Sequence, residues 1–213
     1  MPKSSKAAAV TNPYSPHPSI QMMINWVHGL KKKTGRSLDE WMAFIEQGGP
    51  PTEEQRREWL KAHHKLGTNE SWYLAELSVG KGWDDLSPEA YVAKAPQMVE
   101  AMFEGKRAHL RPVYDALLEL GLSQGPDVKA CPCKTIVPLY RTHVFAEIKP
   151  ATNSRIDLGF ALGDMPAEGR LIDTGGFARK DRITHRIPIT TAGEIDAEVK
   201  KWLKTAYTRA KKK

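Results

Sequence analysis

The chain has 213 residues, 40% of them apolar and 27% charged, with a formal net charge of +7 and two cysteines. That apolar content suffices for one large or two modest domains. No apolar run reaches the roughly 18 residues of a membrane span, the polar opening Met1–Lys6 lacks the core of a secretory signal, and two cysteines one residue apart make no disulfide framework. A cytoplasmic protein without membrane association is therefore expected.

The charge is uneven. Residues 1–96 hold 12 Lys and Arg against 11 Asp and Glu, whereas residues 97–213 hold 20 against 14. A basic second half suits a phosphate-bearing partner, although Lys211, Lys212 and Lys213 supply three of those charges at the very end.

Residues 1–19 are rich in Pro, Ser and Ala and are expected to be disordered. Ile20, Met23, Ile24, Val27 and Leu30 recur at helical spacing, predicting a helix over 19–31; the run Lys31, Lys32 and Lys33 suits the negative end of its dipole and reads as a solvated helix end ahead of a phosphate-binding cluster. Ser37–Glu40 and Thr52–Gln55 have the form of capping boxes opening two further helices, the second running to about Lys65. A fourth helix carries Trp72, Tyr73, Leu74 and Leu77 to Gly80. Residues 20–80 thus read as a small helical domain. His63 and His64 are adjacent, so on a helix they diverge and are expected at the surface.

The stretch Lys32 to Trp41, followed by Trp59-Leu60-Lys61 and His64-Lys65-Leu66-Gly67, resembles the uncharacterised bacterial domain family numbered 4287. That resemblance covers roughly residues 20–80 and implies a compact helical module without a known activity. Because Glu53, Glu54 and Glu58 offset Arg56 and Arg57 on the third helix, a packing or partner-docking role is expected here ahead of DNA reading.

Residues 81–96 read as a linker containing a short helix capped by Ser87, with Pro88 at its first position. A new helix is expected from Pro96 through Leu120, kinked or divided at Pro112 and closed by Gly121. Beyond Pro126 the pattern becomes short extended runs: 128–133, 135–141, 144–149, 155–162, 170–173 and 183–189. The clearest is 155–162, where Ile156, Leu158, Phe160 and Leu162 alternate with smaller or polar residues, placing it at the sheet centre. A last helix from about Ala192 buries Ile195, Val199, Trp202, Leu203 and Ala206. The fold class is α+β, a small N-terminal helical domain followed by an antiparallel sheet with helices on one face, the sheet domain spanning 97–210.

Met102–Lys106, Arg111–Leu118, Phe145–Pro150, Arg155–Gly159, Thr184–Ile189 and Glu198–Leu203 are similar to the uncharacterised family numbered 5655. Some members are joined to predicted nucleases, so the resemblance implies a nucleic-acid context without assigning a role.

Several patterns carry chemistry. Gly175 to Arg182 combines flexible glycines, a stacking ring at Phe177 and the cations Arg179, Lys180 and Arg182, a set able to hold phosphate and base, with a solvated hairpin tip as the simpler reading. Arg141, Lys149 and Arg155 would extend that surface, and His185, between Arg182 and Arg186, would either grip an anion or sit hydrogen-bonded in the core. Pro126-Asp127 with Glu147-Ile148-Lys149 spells the PD…ExK pattern of metal-dependent nucleases, but an intervening strand separates its halves. Cys131 and Cys133 would need His143 or His185 to complete a zinc site, and ordinary packing is the simpler reading. The expected function is non-enzymatic binding of nucleic acid or another phosphate-bearing partner, with no cofactor and no metal. A PD…ExK-like nuclease and a protein-docking adaptor are the alternatives.

Overall fold

The computed structural model describes residues 12–81 and 87–211. The chain divides into two compact units: His17–Tyr91, and Met1–Pro16 together with Val92–Lys213. No helix among the described residues is long and apolar enough to cross a membrane.

The first unit contains α1 (Pro18–Thr34), α2 (Leu38–Gly48), α3 (Glu53–His64) and α4 (Thr68–Ser78). Both capping boxes form: Ser37 with Glu40 starts α2, and Thr52 with Gln55 starts α3. Each satisfies two otherwise orphaned backbone donors. Leu30, Trp41, Ile45, Leu60, Tyr73 and Leu74 make the core. His64 departs from its expected surface position. Its ring packs 4.5 Å from Trp59 and 5.0 Å from Phe44, and burial lowers its pKa. The lysine run is exposed at the end of α1, with Lys33 ion-paired to the buried Glu70.

The linker expectation is corrected in part. Residues 82–86 lie outside the described residues, and the Ser87 hydroxyl accepts from the Ala90 N–H at 3.0 Å, as a cap should. Instead of a short helix followed by another, one helix, α5, spans Pro88–Met102 with Pro96 inside it. Pro96 cannot donate to the Val92 carbonyl four residues earlier. The Asn12 side-chain amide donates to that carbonyl instead, at 2.8 Å.

The chain turns at Gly105, at φ +60°, and passes through a 3-10 segment, Gly105–Leu110, into α6 (Arg111–Leu122). Pro112 therefore sits in the first turn of α6, where its missing N–H costs nothing, and it is Gly105 that divides the helix. Gly121 does not close α6. It lies within the last turn, where a Cβ would come 2.5 Å from Leu139 Cδ1.

Six strands follow: β1 (Lys129–Ala130), β2 (Val137–Tyr140), β3 (Val144–Pro150), β4 (Ile156–Phe160), β5 (Ile172–Asp173) and β6 (His185–Ile189). They form one antiparallel sheet in the order β1-β2-β3-β4-β6-β5, with β4 in the interior as expected. Ile156, Leu158 and Phe160 pair across to Pro150, Ile148 and Ala146, and all of the apolar members are buried in one core. A register shift between Leu139 and Tyr140 marks a bulge, and both Phe145 and Ala146 are buried in that core. The core is sealed by α6 and by α7 (Ala197–Arg209), which Asp196 caps.

Part of the N-terminal stretch expected to be disordered is built into this unit. Residues 1–11 lie outside the described residues, but Tyr14 bridges Ala130 in parallel, its hydroxyl lies 3.0 Å from that of Tyr114, and α1 already begins at Pro18.

Candidate nucleic-acid interface

The sheet face away from α6 and α7 is polar. Glu147, Gly159 and Arg186 stand side by side across β3, β4 and β6, and Lys149, Asp157 and Pro188 form the next row. The segment 174–184 folds back over this face. Its Ile183 lies against Gly159, where a Cβ would come 2.7 Å from Ile183 Cγ2 and 2.9 Å from Glu147 Cγ, so only glycine lets the loop close.

The loop holds itself together. Gly175 N–H donates to the Asp173 carboxylate at 2.7 Å, Gly176 N–H to the Thr174 hydroxyl at 3.3 Å, and Asp181 N–H to the Gly176 carbonyl at 2.8 Å. The two glycine amides are thus committed within the loop and do not form the phosphate cradle expected of them. Glycine is required for other reasons: Gly175 has φ +70°, and a Cβ on Gly176 would meet the Ile183 carbonyl oxygen at 2.5 Å.

Two concavities flank the loop and share Asp181 and Arg182. The larger, about 880 Å³, is lined by His143, Gly163, Phe177, Lys180, Arg182 and Arg209, among others. Its cations are Lys180, Arg182 and Arg209, and none has a carboxylate partner among the described residues; its one carboxylate, Asp181, is taken by Arg179 at 2.9 Å. Phe177 is 58% exposed at its edge. The smaller, about 540 Å³, lies on the polar sheet face and includes Glu147, Lys149, Asp157, Arg179, Arg182 and Arg186. Here charge is mixed: Asp157 is ion-paired with Arg155 at 2.8 Å and accepts from Arg186 at 3.1 Å. Burial raises the Glu147 carboxyl pKa, an effect that Lys149 opposes and Asp157 reinforces.

Among the expected anion-binding residues, Phe177, Lys180 and Arg182 meet at the larger concavity, while Lys149, Arg179 and Arg182 meet at the smaller one. The rest are engaged elsewhere. Arg141 donates to Asp127 at 2.7 Å, lies 4.0 Å over the Tyr207 ring and is structural. Arg155 is the ion-pair partner of Asp157. His185 is 1% exposed, with Nδ1 at 2.8 Å from the Thr184 hydroxyl and Nε2 at 2.9 Å from the Met165 carbonyl, so it takes the core option. Arg209 and His143 were not anticipated. Arg209 ends α7, and the amphipathic pattern of that helix carries no sign that its last turn reaches over Gly163.

The two halves of the PD…ExK pattern are not brought together. Asp127 precedes β1, its carboxylate accepts from Tyr207 and Arg141, and β2 separates it from Glu147 on β3. The thiols are equally unremarkable. Both are free, and burial pushes Cys131 up to about 12 and raises Cys133, the reverse of a reactive thiolate. Among the described residues no group of three or more His, Cys, Asp or Glu is placed to hold a metal ion.

Fold and site together define an α+β protein with a helical first unit and a cation-lined, aromatic-edged concavity beside its sheet. Residues 99–210 match the family described as Domain of unknown function (DUF5655), and the chain belongs to it. Residues 24–69 match Domain of unknown function (DUF4287). Neither the curated proteins nor the solved structures contain a significant match.

Proposed function

We propose that the sheet unit binds single-stranded nucleic acid, as the phosphate-bearing partner that uses both parts of the larger concavity. The observation carrying this reading is the meeting of Lys180, Arg182 and Arg209, all without carboxylate partners among the described residues, beside the exposed ring of Phe177. Cations track a phosphate backbone, and an aromatic face stacks any base, so the combination favours strand binding over a lone anion. Two free thiols suit a reducing, cytoplasmic setting.

Fluorescence anisotropy with labelled mixed-sequence oligonucleotides tests the proposal. Three phosphate contacts predict a slope of about −2 in a plot of log affinity against log salt. Phe177→Ala removes one stacking platform and is expected to weaken binding by about 1–3 kcal/mol. Absent binding at low salt, or affinity indifferent to salt, overturns the proposal.

A second reading has one observation in its favour: Glu147, Lys149 and Asp157 line one cleft next to the phosphate-binding side. Two carboxylates with substrate phosphates can hold Mg²⁺. That reading predicts Mg²⁺-dependent cleavage, lost in Glu147→Ala while binding persists.

A further inference from the structure

The helical unit has its own concavity, independent of the nucleic-acid reading. It lies between the N-terminal halves of α1 and α4, has a volume of about 570 Å³, and is lined chiefly by Met22, Met23, Trp26, Glu70, Trp72 and Tyr73. The rings of Trp26 and Tyr73 lie 5.2 Å apart with planes 85° apart, making two perpendicular walls. Trp72, 44% exposed, and Met22, 63% exposed, stand where a ligand would cover them.

A plain apolar groove would not need the remaining features. Glu70 is only 6% exposed, and its Oε1 accepts from Trp26 Nε1 at 3.2 Å and from Lys33 Nζ. Those donors, Lys33 first, hold its carboxyl below the usual carboxylate range, so an ionised carboxylate already paired with Lys33 stands at the floor of the concavity. Lys33 does not line the concavity, and its own side chain is 64% exposed.

We infer that this concavity binds a trimethylammonium group, as carried by choline or by a trimethylated lysine side chain. Such a cation has no N–H to satisfy, is weakly hydrated, and gains from π-faces, polarisable sulfur and a carboxylate held nearby. An ordinary lysine ammonium would give up its water for too few acceptors.

Calorimetric titration of the full chain with choline, capped trimethyllysine, capped lysine and 3,3-dimethylbutan-1-ol, the neutral isostere of choline, is the test. Choline or trimethyllysine is expected to bind about tenfold tighter than the isostere or unmodified lysine. Which of the two cations binds better identifies a free metabolite or a modified chain as the source. Trp72→Ala, at an exposed position that spares the core, and Glu70→Gln are each expected to weaken the cation by several-fold with the helical circular dichroism unchanged. If Glu70→Gln unfolds the unit, Trp72→Ala still decides. Equal affinity for the neutral isostere, no heat from either cation at millimolar concentration, or an unaltered affinity in Trp72→Ala overturns the inference.

Discussion

Glu147 is the residue whose setting is hardest to reconcile with packing alone. Burial favours its neutral form, and Lys149 offsets this only in part. A carboxyl whose folded pKa is raised contributes most to stability below its unfolded value, near 4.3, and that contribution is lost as pH rises through the folded value. Glu147→Gln is therefore expected to raise the melting temperature at pH 8 and to make little difference at pH 3.5. Thermal melts of the two proteins at both pH values check this; an equal or lower melting temperature for the variant at pH 8 removes the claim. A carboxyl shifted by burial inside a cleft marks a candidate site. Its signal in the sequence was ambiguous, because Glu147 and Lys149 share a strand face in a nuclease motif as readily as in a binding cleft.

The elements were legible wherever a local pattern matched its tertiary setting. Both capping boxes, the alternation of β4 and the stripe of α7 each reflect one face meeting one core. Pro96 and Gly121 were misread because their effects depend on distant partners. The carbonyl that Pro96 leaves bare, that of Val92, is met by Asn12, eighty residues earlier in the chain, and Gly121 is small to admit Leu139 from β2. A helix–sheet contact that close tolerates no branched side chain. Gly121→Val is expected to cost about 1–3 kcal/mol by overpacking. Chemical denaturation would read this as a lower midpoint with an unchanged slope. A variant as stable as the parent would show that α6 can lift away from β2.

On the scale of the molecule, the sheet unit is completed by residues that precede the helical unit. Tyr14 lies beside β1 and pairs its hydroxyl with that of Tyr114, which is fully buried. Removing one partner leaves the other unsatisfied, so Tyr14→Phe is expected to destabilise the sheet unit by about 1–3 kcal/mol, and adding Tyr114→Phe should recover most of it. Hydrogen exchange would place the loss in residues 92–211 and leave 17–81 protected as before. No recovery in the double variant would mean that the hydroxyl pair is not what fastens this segment. The pairing was invisible in the sequence, where Tyr14 sits among prolines that read as disorder. The expected basic surface was visible only in part. Composition located the cations in the second half, but ion pairs with Asp127, Asp157 and Asp181 withdraw Arg141, Arg155 and Arg179 and leave a smaller patch that includes Arg209.

That patch is tested most directly by amide chemical shifts of the full chain during titration with a short single-stranded oligonucleotide at low salt. Shifts concentrated in 177–182 and around His143, Gly163 and Arg209, and lost in an Arg182→Glu variant that remains folded, are the predicted result. Shifts confined to 17–81, or none at saturating oligonucleotide, would contradict the account.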